Sequence, residues 1–338
     1  MRYYSKLLIF ISFLFLIYQT VSSEPNVLVC KKNCGMEDLD NEYNFQARMM
    51  EGSDSGGNVT FIEDDIIISE AHVFAIDRRK ACCTPEETKK YSEIWKKKKL
   101  YIVAGNTYHS NKKIIGEVID ISARNTGEAP GYDLIVAHVD RNCKKCNTEI
   151  KIEPIPLANF IPTIGTKATH VCVADRKKWG NGIIYDDHTL NGWVYGGEGT
   201  QCSRQIVKHD GITNPPMIFA GCSGSPVIYK ECGKDVIHGL HGNGMDEDKI
   251  MYEMLQLVQT QKKWIQQEIY NWTGRTDMLD ACSETGRRSF MDGNKFEIKQ
   301  NDCISKICKE DCYENPIPCD QINLDESIKF PWHAEFNL

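Results

Sequence analysis

Short apolar runs separated by turn-forming clusters set the pattern of the chain. The runs DIIIS (65–69), LYIVAG (100–105), IIGEVIDI (114–121), DLIVAHV (133–139), HVCVA (170–174), SPVIY (225–229) and DVIHGL (235–240) are short and rich in branched residues. Between them lie clusters such as SDSGGN (53–58) and NTGEAPGY (125–132). Short branched runs bounded by Gly, Pro, Asn and Asp predict strands, and many in series predict an antiparallel β sandwich or barrel. One stretch differs. Over 251–270 the apolar residues Met254, Leu255, Val258, Ile265 and Ile269 recur at three-to-four spacing, which predicts an amphipathic helix on the barrel. Gln261 and Lys262 leave a gap in its stripe.

The two ends read differently from the middle. Arg2 and Lys6 precede and open an apolar stretch, LLIFISFLFLIY (7–18), followed by small and polar residues through Ser23. That is the pattern of a secretory signal peptide, 1–23, with the apolar stretch too short to span a bilayer. A soluble, secreted protein with no membrane partner is expected. After Thr273 the chain turns polar and holds Cys282, Cys303, Cys308, Cys312 and Cys319. Such a tail buries little apolar surface, so its order is expected to depend on bridges.

Composition narrows the classes. A chain of 338 residues with 41% hydrophobic content can bury one large core or two small ones. A net charge of -7 gives no electrostatic footprint for nucleic acid, and the lysine run 96–99 reads as a solvated loop or strand edge. Fifteen cysteines suit an oxidising compartment, and the odd count leaves at least one free or paired between chains. Cys143 and Cys146 have metal-ligand spacing but no second pair at zinc-site distance, so a disulfide or two separate bridges is expected and no metal or cofactor. Asn58 and Asn271 head glycosylation sequons.

The candidate chemistry lies in GCSGSP (221–226). A serine hydroxyl is a poor nucleophile without a base, usually a histidine oriented by a carboxylate. Small flanking residues allow backbone amides to meet a developing oxyanion, and Gly221 and Ser223 would supply them. Alone, the hexapeptide reads equally well as a surface turn. Two other segments change its weight: IIISEAHVFAID (66–77) ends a strand near His72, and GYDLIVAHVD (131–140) opens one with Asp133. The bland alternatives are a core histidine, a strand-start cap and a turn serine. Cys222 is a poor rival nucleophile, because a shift of one residue turns its side chain away from His72.

With His72, Asp133 and Ser223 in this order, the sequence resembles the trypsin/chymotrypsin family of serine proteases. SGGNVTFIEDDIIISEAHV is similar to that family's strands leading into TAAHC, YDLIVAHV to DIALLKL, and GCSGSPVIY to GDSGGPLVC. CVADRKKWG (172–180) resembles CVTTGWG, and KKWIQQEIYNW (262–272) resembles the family's C-terminal helix. Each motif is common; the five in order are specific. The resemblance covers roughly residues 44–272. It implies an all-β fold of two antiparallel barrels with a C-terminal helix over 44–272, after an N-terminal segment at 24–43 and before a cysteine-rich extension at 273–338. It implies a secreted serine endopeptidase with Ser223 as nucleophile, His72 as base and Asp133 as orienting carboxylate. A polypeptide substrate and a protein inhibitor are the partners that follow.

The departures matter as much. Cys222 stands where the family has an aspartate that pairs with a new N-terminal ammonium, and no basic residue followed by IVGG lies near YNFQARMM (43–50). The resemblance therefore leaves two outcomes: a protease that needs no such activation, or a catalytically silent homologue that acts by binding. Met217 falls at the position of the trypsin pocket aspartate, which excludes a preference for Lys or Arg. Glutamyl endopeptidases carry GNSGSPV and GIHWGG, similar to GCSGSPV and GLHGNG here, placing His241 and Gly244 with Met217 in the specificity pocket and suggesting Glu or Gln before the scissile bond. Val73 and Phe219 replace family cysteines. By resemblance Cys172 pairs with Cys232, Cys202 reaches Cys30 or Cys34, and Cys222 is bridged or free.

Overall fold

Ile66, Ile67 and Ile68 bury both faces of one strand, which is why the run carries no polar alternation. In the computed structural model Ile67 points into a barrel with Phe61, Ile102 and Ile135, while Ile66 and Ile68 pack outward with Leu134 and Val136. The structure describes residues 36–51, 54–74, 97–104, 113–125, 133–160, 162, 165–173, 177–185, 204–209, 222–247, 250–292 and 295–296. The signal-peptide segment, Cys30, Cys34, Cys202, Met217, Phe219, Gly221 and the tail beyond 296 lie outside these residues.

A two-residue strand, β1 (Met36–Glu37), precedes the first barrel. That barrel is built from β2 (Gln46–Glu51), β3 (Asp54–Glu63), β4 (Ile66–Ser69), β5 (Leu100–Ala104), β6 (Lys113–Asn125) and β7 (Asp133–Asp140). They close in the order β2-β3-β4-β7-β6-β5. The second sheet contains β8 (Lys167–Val173), β9 (Lys177–Tyr185), β10 (Arg204–His209), β11 (Pro226–Glu231), β12 (Lys234–Glu247) and β13 (Ile250–Leu257). Its order is β9-β10-β13-β12-β11-β8, and β8 also pairs with β9, so this ring closes too. Each set of six strands thus follows one order: first, second, third, sixth, fifth, fourth. Two closed antiparallel barrels of identical winding make the expected chymotrypsin-type architecture. Closure removes the exposed strand edges.

The seven expected strands all appear. The long helix does not. Residues 250–257 form β13, paired with β10 on one side and β12 on the other. Leu255 and Leu257 are buried two apart with buried Gln256 between them, and burial of Val258 beside them imitates a helical stripe. The helix α1 spans Lys262–Thr273 after a 3-10 turn at Gln259–Gln261, so the polar gap marks its start. Ile265 and Ile269, four apart, bury its inner face against Ile155, Leu240 and Leu134. Gly274 ends it at φ 70°, its N–H donating to Tyr270 O at 2.9 Å.

Beyond α1 a hairpin of β14 (Asp277–Leu279) and β15 (Arg287–Ser289) folds back over both barrels. A last short pair, β16 (Met291–Asp292) and β17 (Lys295–Phe296), follows it. Met278 and Phe290 join the core between the barrels. Leu279 N–H donates to Glu63 Oε1 at 2.7 Å, and Arg287 Nη1 to Glu63 Oε2 at 3.0 Å. Burial pushes the Glu63 carboxyl up from its ordinary value, although these donors and Arg275 pull the other way. Cys282 of this segment bridges to Cys232 in the β11–β12 turn. Cys143 and Cys146 bridge one another. Among the described residues no helix is long and apolar enough to cross a membrane.

Candidate active site

The barrels meet where the ends of β3, β4 and β7 face the start of β11. Antiparallel pairing sets Ser69 of β4 opposite Ile135 of β7, so the chain leaving β4 runs beside the start of β7. That chain is the 3-10 turn Ala71–Phe74, which carries His72; the side chain of His72 lies outside the described residues. Val73, where the resemblance expects a cysteine, is buried in the first barrel's core. Asp133 opens β7, is fully buried, and its N–H donates to Gln256 Oε1 of β13 at 2.9 Å. Register thus brings the His72 turn and Asp133 to one corner, facing the second barrel.

Ser223 comes from the opposite side. It lies in the turn entering β11, 7% exposed, and its carbonyl accepts the N–H of Asn58 at 3.2 Å. Gly224 follows at φ 79°, and a Cβ there would lie 2.3 Å from Ser69 Oγ and 2.4 Å from Asn58 O. The turn after the serine therefore packs directly on the residues leading into His72. Only glycine fits that approach. Gly224 N–H donates to His241 O at 3.0 Å, His241 N–H to Ser225 O at 2.8 Å, and Ser225 N–H to Cys222 O at 2.9 Å.

Asn58 links these parts, and its sequon misled. It is fully buried, so a glycan there is incompatible with the folded chain, because the amide is spent inside. Its Oδ1 accepts Val173 N–H of β8 at 2.9 Å and Gln46 Nε2 at 2.8 Å. Its backbone carbonyl accepts Ser69 Oγ at 2.6 Å. Asn271 is exposed on α1, its Oδ1 accepting Gln267 Nε2. Arg48, also buried, ties the barrels by donating to Val173 O and Gly56 O at 2.5 and 2.6 Å.

The bridges correct a second expectation. Cys172 does not pair with Cys232; it pairs with Cys222, directly before the serine. Cys232 sits at the far end of β11 and faces the C-terminal hairpin instead. Of the pocket residues expected from sequence, His241 lies behind the serine turn, its ring stacked on His170 of β8 at 5.2 Å between centroids. Gly244 pairs with Glu253 in β12–β13. His238 belongs elsewhere: fully buried, its Nδ1 lies 2.8 Å from Gln259 Nε2, beside the Tyr229 ring. Burial pushes its imidazole down to about 3. Sequence reading also missed Ser69, Gln256 and Asn58 as parts of this corner. The one visible sign was Gln256, a polar residue interrupting the apolar run of β13.

No protein-family model matches the chain, and no curated protein matches it. Among solved structures, a double mutant of human heparin binding protein is similar, with a TM-score of 0.49 and 12% identity over 71% of this chain and 97% of that one. Human heparin binding protein itself gives 0.48 and 13% over the same shares.

Proposed function

We propose that the protein is a secreted serine endopeptidase with Ser223 as nucleophile, His72 as base and Asp133 as the carboxylate that orients it. One observation carries this reading: the register of β4 on β7 and the Asn58–Ser223 hydrogen bond converge three separate segments on one corner between the barrels. In the reaction Ser223 Oγ bonds to the scissile carbonyl carbon while His72 takes its proton. That proton passes to the leaving amine as the C–N bond breaks, and water then releases the acyl group by the reverse transfers. The amides of Gly224 and Ser225 are turned inward to His241 O and Cys222 O. The amides proposed for the oxyanion are those of Gly221 and Ser223, as the resemblance implies. By the resemblance, Met217 and His241 would meet the residue before the scissile bond, where a thioether does not suit Lys or Arg and the imidazole suits Glu or Gln.

A fluorophosphonate probe on the mature secreted chain tests the reading. We expect one Ser223-dependent adduct, absent in Ser223→Ala. A folded wild-type chain with no such adduct is a silent homologue, and the enzyme reading is then wrong. A peptide-library digest tests the pocket: cleavage mainly after large apolar residues would overturn the role of His241.

A further inference from the structure

The residue before the proposed nucleophile is covalently tied to the neighbouring strand. Cys222 is fully buried and bridged to Cys172, itself 2% exposed on β8. Three other holds act on the same turn. Ser223 O accepts Asn58 N–H from the first barrel, Gly224 and Ser225 exchange hydrogen bonds with His241 of β12, and Ser225 Oγ donates to Cys222 O. The hydrogen bonds fix the turn against β3 and β12; the disulfide fixes it to β8. The two fixings are coupled at Asn58, whose Nδ2 approaches Cys172 Sγ at 4.0 Å and whose Oδ1 holds Val173 N–H of the same strand. β8, the bridge and the Ser223 carbonyl therefore share one anchor.

We propose that the Cys172–Cys222 disulfide, seated against Asn58, is the positioning device of the catalytic turn, so that the chain folds directly with Ser223 in its working place and opening this bridge disables it. The inference rests on the reading of Ser223 as nucleophile. It assigns the bridge a role in the chemical step beyond stability. A displaced nucleophile loses rate without losing the contacts that bind substrate, so the loss falls on kcat.

The molecule supplies its own control. Cys232–Cys282 closes the same sequence separation of 50 residues as Cys172–Cys222, so removing either frees a similar loop in the unfolded chain. Only the first touches the serine turn. The full mature chain is compared with Cys172→Ala/Cys222→Ala and with Cys232→Ala/Cys282→Ala, below the melting temperature of each. We expect fluorophosphonate labelling and kcat to fall about 100-fold in the first pair with KM nearly unchanged, and less than about threefold in the second. Amide exchange at Gly224 and Ser225 should quicken in the first pair alone. Equal labelling and equal exchange in the two pairs overturn the proposal.

If the wild-type chain takes no label, the nucleophile reading fails by itself. The exchange comparison then decides whether the bridge anchors the turn. Should the first pair not fold, the native protein is reduced stepwise with a dithiol. The reagent gives two electrons and two protons to one bridge, leaves two thiols, and ends as its own cyclic disulfide. Labelling, or turn exchange where there is no labelling, should change in step with opening of Cys172–Cys222 as mapped by mass, and recover on reoxidation. A turn unchanged after that bridge has opened would overturn the proposal.

Discussion

A methyl group on Gly224 has nowhere to go: at φ 79° it would meet Ser69 Oγ and Asn58 O well inside contact distance. Gly224→Ala should therefore cost roughly 2–4 kcal/mol in urea unfolding and lift the serine turn off the first barrel. Asn58 is the complementary test. Asn58→Ala leaves Val173 N–H and the Gln46 amide without their acceptor, so a loss of about 2–4 kcal/mol is expected, with slower probe labelling. Glycopeptide mapping of the protein expressed through a secretory pathway should find Asn58 bare; a glycan there in folded material would contradict the structure. The sequon at Asn58 could not reveal this, because it reports three neighbours in sequence. The partners that fill Asn58 come from β2, β4, β8 and the serine turn.

Among elements, those that bury both faces were the readable ones. β4, β5, β7 and β11 each bury nearly every position, so a run of branched residues announced them. β2 was not legible: Gln46 and Arg48 interrupt it, and both are buried because they serve the junction between barrels. β13 was taken for helix because its neighbour Val258 extended a pattern that pairing with β10 and β12 overrides. The chain order His72, Asp133, Ser223 was legible from local motifs, whereas the Cys172–Cys222 pairing depends on how β8 lies beside the turn. Helix α1 offers a direct check of the core between the barrels. Ile265→Ala removes a fully buried side chain from a cluster shared with Leu134, Leu240 and Met278, and should cost about 2–5 kcal/mol by denaturant unfolding.

For the whole molecule, stability should depend on pH through buried groups outside the proposed set of His72, Asp133 and Ser223. Burial holds His238 neutral, with its pKa down at about 3 against an ordinary 6.5. The unfolded chain binds this proton more readily, so the contribution is fully present above pH 6.5 and is lost as pH falls toward 3. The loss is on the order of 5 kcal/mol. Asp65 acts in the same sense at lower pH: burial raises it, but hydrogen bonds from His138 and Arg275 outweigh that and hold it below its ordinary value. On the alkaline side Lys177 and Lys262 are both pushed by burial to about 8, with Asp38 offsetting part of the shift at Lys177 and Asp280 and Glu231 part of that at Lys262. Each ammonium is a cost to the fold at neutral pH, so stability should rise as pH passes from 8 toward 10.5. Tyr43 and Tyr229, both raised by burial, reverse the trend above their ordinary value of 10.0. The maximum is therefore expected near pH 10. Urea unfolding across pH 3 to 10 checks each limb. His238→Gln should flatten the acid limb between 3 and 6.5, and Lys177→Met should reduce the rise above 8 by roughly half, the remainder belonging to Lys262, each leaving the other limb intact. A variant that kept the wild-type slope in its own window would show that the assigned group does not control it.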